Sequence, residues 1–309
     1  MKRRDAFRAA AGEWAAPRRT APLLLAALCV LMRLSAPLSR HFSYEGISFY
    51  IAAAILQITL LLLPALIFSR LVVRGADGDT DMTAGRGLPL ARKLLCSLIL
   101  LLCMLLIAAS YFGTAVYLSE GGTVTTLFEQ LDLSDRPPSH VLGALLAFAI
   151  LPALCEEYLC RGVLYGLYEE YGQKSALLFS SLAFAMLHLS LQKFPFFLLF
   201  GFLLGMLRIL TGSVLYPMAV HILFNVFNLL TQRYYTLLTT SDRFFPLFFL
   251  ATLSALLLLF VLFRLAAGIC RSGVPFRDSV GEGGSFPVFR IFTIPMIGAI
   301  LLYLLLSLV

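Results

Sequence analysis

Charged residues are scarce in this sequence, and their scarcity excludes a soluble globular protein. Only 13% of its 309 positions are Asp, Glu, Lys or Arg, while 60% are hydrophobic and the mean hydropathy is +0.90. Paired cysteines are lacking too. The six present (Cys29, Cys96, Cys103, Cys155, Cys160 and Cys270) are scattered, five of them within apolar runs, without zinc-ribbon or disulfide spacing, so they read as small buried hydrophobes. An HExxH zinc motif is absent, as are an internal repeat and the composition shift that would mark a second domain. The single tryptophan, Trp14, stands in a basic N-terminal arm where an interfacial anchor is useful.

What is abundant is apolar sequence in long runs. A helix needs about 20 apolar residues to cross a hydrocarbon core of roughly 30 Å, and helices satisfy their own backbone where water is missing. The runs are Ala21 to Met32, Ile47 to Phe68, Leu94 to Leu118, Leu142 to about Gly172, Ser175 to about Leu191, Phe194 to Leu210, Ser213 to Leu230, Leu247 to Phe263 and Ile291 to Val309. They predict an all-α, polytopic transmembrane bundle of about eight to nine helices. Residues 1–20 form a basic arm, residues 21–309 a single transmembrane domain, and the functional core falls at about 142–230.

The net charge of +7 reads as membrane topology rather than as a nucleic-acid footprint. With the N-terminus on the cytoplasmic side, most Lys and Arg fall inside: those of the arm, the 70–93 stretch, Lys174, Arg208 and the 264–290 stretch. Arg40, Arg136, Lys193, Arg233 and Arg243 fall outside. That asymmetry follows the positive-inside rule. The glycine-rich stretches Gly75 to Gly87 and Gly268 to Gly284 read as cytoplasmic connections, and Pro137-Pro138 as the start of the fourth helix.

Against this background a few polar residues stand at membrane depth, where a charge costs about 2.5–3.5 kcal/mol on insertion scales and by default marks a functional interior. Glu156, Glu157 and Arg161 lie within the fourth run, His188 in the fifth, and His221 and Asn225 in the seventh. At 1.5 Å per residue from the cytoplasmic ends, Glu156 lies about 21 Å in, His188 about 20 Å, His221 about 12 Å and Asn225 about 18 Å, so the groups can share one buried layer.

Helical spacing divides the roles. Glu157 and Arg161 are i and i+4 and can neutralise each other. Glu156 points about 100° away and keeps no intrahelical partner, which leaves it free for general acid–base work. Pro152 removes a backbone donor just ahead of the carboxylates. His221, Asn225 and Asn228 share one stripe. Gly162xxxGly166 and Gly201xxxGly205 read as small-residue packing faces, and the Met and Phe stripes as core or lipid contacts. A lone membrane histidine is as often a structural hydrogen-bond partner as a functional group. The co-occurrence of an acid, two imidazoles and an amide is what points to chemistry.

Glu-Glu-x-x-x-Arg at 156–161, Phe-x-x-x-His at 184–188 and His-x-x-x-Asn at 221–225, in this order on separate helices, resemble the three motifs of the CAAX protease and bacteriocin-processing family. The resemblance covers roughly Leu142 to Leu230. It implies an intramembrane endopeptidase of a cell membrane, with a peptide or membrane-protein substrate and a cavity opening to the cytoplasm. Glu156 and His188 would activate water, His221 and Asn225 would stabilise the oxyanion, and Glu157 and Arg161 would hold the site in shape. Metal use is open within the resemblance. Glu156, His188 and His221 could hold zinc, but a metal-free site better explains Asn225. The alternatives are a non-catalytic scaffold or immunity protein of the same fold and a proton-linked transporter.

Overall fold

The structure, a computed structural model, describes residues 17–39, 47–72, 88–118, 133, 136–169, 171–239, 244–271 and 291–308. The arm with Trp14, the Gly75 to Gly87 stretch, most of Gly268 to Gly284 and most of the 119–135 loop lie outside the described residues, as does the side chain of Cys270.

Among the described residues the regular structure is entirely helical, with nine helices. They are α1 (Pro17–Ser39), α2 (Ile47–Gln57, continuing through a wide turn at Ile58–Leu62 into Leu63–Val72), α3 (Leu90–Leu118), α4 (Pro138–Glu169), α5 (Gln173–Leu187), α6 (Phe194–Thr211), α7 (Leu215–Thr239), α8 (Phe244–Arg271) and α9 (Ile294–Leu308). Four segments are long and apolar enough to cross a membrane: Ile47–Arg70, Leu90–Tyr111, Pro138–Glu169 and Phe194–Thr211. The nine helices among the described residues agree with the expected bundle of about eight to nine. At 15 residues, α5 extends only about 22 Å.

Local chemistry sets the boundaries. Pro137 precedes α4 with φ −55° and ψ 150°, so the helix starts at Pro138, four residues before the apolar run. Gly212 ends α6 in the left-handed region (φ 71°), and its N–H closes the last turn on the Arg208 carbonyl. The end of α5 is less ordinary. Leu189 takes φ 46° without being glycine, and the helix stops at Leu187 rather than running to about Leu191 as the hydrophobic pattern suggests.

The inner group is α4 to α7. Helices α5 and α6 lie side by side, joined by residues 188–193, and α7 packs along the first half of α4. Helix α3 supports α6, α7 and α8, α2 flanks α4, and α1 pairs with α9. The large core cluster runs through α4, α5 and α6 and takes in Leu159, Leu164, Phe179, Phe184, Phe200 and Leu204. Outer faces carry exposed apolar side chains such as Ile55, Leu257, Phe260 and Leu305, an inverted polarity that suits hydrocarbon rather than water.

The glycine pairs behave differently from one another. A Cβ on Gly201 would meet the Ser181 Cα and carbonyl oxygen at 3.0 Å, so α5 and α6 touch backbone to backbone there. Gly166 faces open space, so the expected packing face at Gly162xxxGly166 is not a close contact at its second glycine. The cysteines Cys29, Cys96, Cys103, Cys155 and Cys160 are free and buried.

Candidate active site

Helix α4 is regular only in pieces. Wide i→i+5 turns occupy Leu145–Ile150 and Tyr158–Leu164, and the regular stretch between them, Leu151–Glu157, carries both glutamates. Pro152 accounts for the first disturbance, since it has no N–H and its ring crowds the carbonyl four residues back. Wide turns of this kind concentrate at functional sites. Here one of them presents the Ala149 carbonyl to α7, where it accepts Nδ2–H of Asn225 at 3.3 Å.

The adjacent carboxylates have opposite surroundings. Glu157 is fully buried. Its Oε1 accepts from Arg161 Nη1 at 2.8 Å and from His221 Nδ1 at 3.0 Å. Arg161, also fully buried, donates through Nη2 to the Gly201 carbonyl at 2.7 Å and lies over the Phe184 ring at 4.7 Å. A buried ion pair repays its desolvation only when further hydrogen bonds satisfy both partners. The imidazole on one side and the α6 carbonyl on the other do part of this, joining α4, α6 and α7, while Glu157 Oε2 and Arg161 Nε stay buried without a hydrogen-bond partner among the described residues.

Glu156 retains 13% side-chain exposure, enough to make it reachable from outside the packed core. Its nearest cationic partner is His221, whose Nε2 lies 3.9 Å from Oε2, a separation too long for a direct hydrogen bond. His221 is thus tied to one glutamate through Nδ1 and turns Nε2 toward the other. With Nδ1 protonated, the Glu157 bond fixes both tautomer and ring orientation.

His188 is not within a helix as the hydrophobic pattern predicts. It caps α5, and the chain then enters the left-handed conformation of Leu189. The turn is closed by His188 N–H to the Ala185 carbonyl and Leu189 N–H to the Met186 carbonyl. A left-handed residue other than glycine costs about 1–2 kcal/mol, and such strain collects at functional sites. The ring is fixed on two sides: Nδ1 lies 2.8 Å from the Phe184 carbonyl, and the imidazole stacks on Phe197 with centroids 3.5 Å apart and planes at 21°. Donation to a carbonyl requires the proton on Nδ1, which leaves Nε2 as an acceptor. Among the described residues no hydrogen bond or ion pair joins His188 to Glu156. Phe184 connects the two imidazoles instead, with centroids 4.9 Å from His188 and 5.7 Å from His221.

Asn225 meets α4 as described, but Asn228, expected on the same stripe, turns back to the Phe224 carbonyl of its own helix at 3.0 Å and stays out of the layer. Three contacts were not anticipated: His221 to Glu157, Phe197 on His188, and the Gly201 carbonyl on Arg161. Phe197 and Gly201 are one turn apart on α6, a spacing that is visible in the sequence once α6 is known to face His188.

A metal centre would require Glu156, His188 and His221 to converge. Among the described residues no three His, Cys, Asp or Glu side chains come together closely enough to hold an ion. His221 and His188 each place Nδ1 on an acceptor and keep Nε2, as metal-bound imidazoles do, but the three side chains do not converge, so the arrangement does not form a three-ligand zinc centre.

Residues 138–227 match the model of the type II CAAX prenyl endopeptidase Rce1-like family. The matched segment runs from the first residue of α4 to beyond Asn225 and contains all three motifs, so the family resemblance they carry is shown for the part of the chain that forms the site. That family is one of proteases with a helical membrane fold, and the match together with the four apolar helices indicates a membrane protein. Neither a curated protein nor a solved structure matches the chain.

Proposed function

We propose that the chain uses this protease-family core to hydrolyse a peptide bond within or beside a membrane, with water activated by Glu156 and His188 and no resident metal. The observation that carries the reading is the contrast between two neighbouring carboxylates. Glu157 is sealed and paired through Oε1 with Arg161 and His221, whereas Glu156 is reachable and faces an imidazole held in place by its neighbour.

In the proposed step a water stands between Glu156 and the free Nε2 of His188. Its oxygen attacks the carbonyl carbon of the scissile bond, its proton passes to Glu156, and the carbonyl oxygen becomes an oxyanion. Two donors face that charge. Asn225 spends one N–H of its amide on Ala149 and keeps the second. His221 gives Nδ1–H to Glu157 and turns Nε2 toward the same space, where a proton on that nitrogen would make it the second donor. Fixed donors in a water-poor site are worth far more than in solution. Collapse of the tetrahedral intermediate breaks the C–N bond as Glu156 returns its proton to the leaving amine. A positioned base of this kind contributes about 10²–10⁴-fold.

In this reading the substrate is a peptide or membrane protein, reached from the cytoplasmic side of a cell membrane as the family resemblance implies. Purified protein in detergent would be offered a panel of quenched fluorescent peptides, lipidated and not, beside Glu156→Gln and His188→Ala, with and without a zinc chelator. Cleavage that is lost in both variants and survives the chelator is the expected result. Cleavage abolished by the chelator and restored by zinc contradicts the metal-free mechanism, and wild-type cleavage by Glu156→Gln contradicts the assignment of the base.

A further inference from the structure

Helix α6 carries none of the three motifs, yet one of its turns touches both halves of the site. Phe197 stacks face to face on His188, and four residues later the Gly201 carbonyl accepts from Arg161, which holds Glu157. Residues i and i+4 lie on one face of a helix, so the two contacts come from the same surface. Phe184 sits between them: its carbonyl meets the His188 ring, its own ring lies under Arg161, and its Cβ is 3.3 Å from where a Cβ on Gly201 would be. The bonds of His188 fix its Nδ1 edge only. Rotation about that edge is stopped by the parallel Phe197 ring at 3.5 Å.

We propose that Phe197 and Gly201 are positioning residues of the site. In this assignment Phe197 sets the plane of the His188 imidazole, and Gly201 lets α6 approach α5 closely enough to hold Arg161 and Phe184 in register. The assignment builds on the endopeptidase reading and gives the turn a role beyond packing. Gly205, one turn further on, is the internal control. A Cβ there would press at 2.5 Å on the Cδ1 of Leu177, the mobile end of a side chain, with Leu177 Cγ and Ser180 Oγ at an ordinary 3.9 Å, whereas at Gly201 it would meet the Ser181 backbone at 3.0 Å.

The test reads the imidazole directly. In detergent-solubilised full-length protein labelled at its 4 histidines, the His188 signal is the one lost in His188→Ala. A ring proton over an aromatic face is displaced upfield. The expected result is that Phe197→Leu abolishes this displacement and Phe197→Tyr retains it. Gly201→Ala should move the same signal and Gly205→Ala should not. In the cleavage assay Phe197→Leu should lose about tenfold to a hundredfold in kcat with KM unchanged, the scale on which a slightly misplaced catalytic group acts, and Phe197→Tyr should recover it. A His188 signal unmoved in Phe197→Leu overturns the proposal whatever the activity, as do equal effects of the two glycine substitutions. If the wild type cleaves no peptide but the signal moves as described, the endopeptidase reading fails and the positioning assignment stands.

Discussion

Glu156 and Glu157 are neighbours in the chain and belong to different regions of the molecule. One region is sealed: Glu157, Arg161 and His221 form a bonded group linking α4, α6 and α7, with the two charged side chains fully buried. The other is reachable: Glu156, His188 and Asn225 each keep some exposure, with His188 held by the Phe184 carbonyl and the Phe197 ring, Asn225 by the Ala149 carbonyl, and Glu156 without a hydrogen bond among the described residues. The difference teaches that polarity at membrane depth serves two ends. Paired buried charges can fix geometry, and in the proposed mechanism the reachable carboxylate is the one left for chemistry. A helix that changes its winding on either side of the glutamates assigns the two carboxylates to the two regions.

The comparison breaks most severely if Arg161 is removed. Arg161→Met leaves Glu157 as an uncompensated buried charge, which costs about 3–5 kcal/mol, so the variant should fail to accumulate in membranes. The double variant Arg161→Met with Glu157→Gln should recover much of that loss, measured by yield and thermal midpoint. Next comes Glu156→Gln, expected to lose about 10²–10⁴-fold in cleavage rate with its thermal midpoint unchanged, because the group it replaces is bonded to nothing at hydrogen-bond distance. Asn225→Ala sits between the regions. It removes an oxyanion donor, a loss of about 10²–10³-fold in kcat, and also the Ala149 bond, at about 1 kcal/mol of stability. The smallest effect is expected at Leu189→Gly, which removes the left-handed strain beside His188 and should raise stability by no more than about 1 kcal/mol.

Much of this was legible in the sequence because hydrophobic runs and rare charges are strong signals. The nine helices among the described residues follow from nine apolar runs, and the i, i+4 spacing of Glu157 and Arg161 foretells their ion pair. The end of α5 was not legible, because a helix usually stops at glycine or proline and here it stops at Leu187, two residues before Leu189, whose left-handed backbone has no sequence mark. The same misreading placed His188 inside a helix. Asn228 shares a stripe with Asn225, but periodicity gives a direction and not a partner, and the side chain found its own backbone. Phe197 was taken for one of many phenylalanines in an aromatic-rich helix, since a stacking contact depends on how two helices meet. The bond from His221 to Glu157 likewise depends on the approach of α7 to α4.

The central claim is that the neighbouring glutamates divide chemistry from support, and it is tested most directly by measuring cleavage rate and thermal midpoint together for Glu156→Gln and Glu157→Gln in the same detergent. The account predicts that Glu156→Gln abolishes cleavage at an unchanged midpoint, while Glu157→Gln lowers the midpoint and loses activity in proportion to the protein that remains folded. Wild-type cleavage by Glu156→Gln, or a stable and inactive Glu157→Gln, would contradict it.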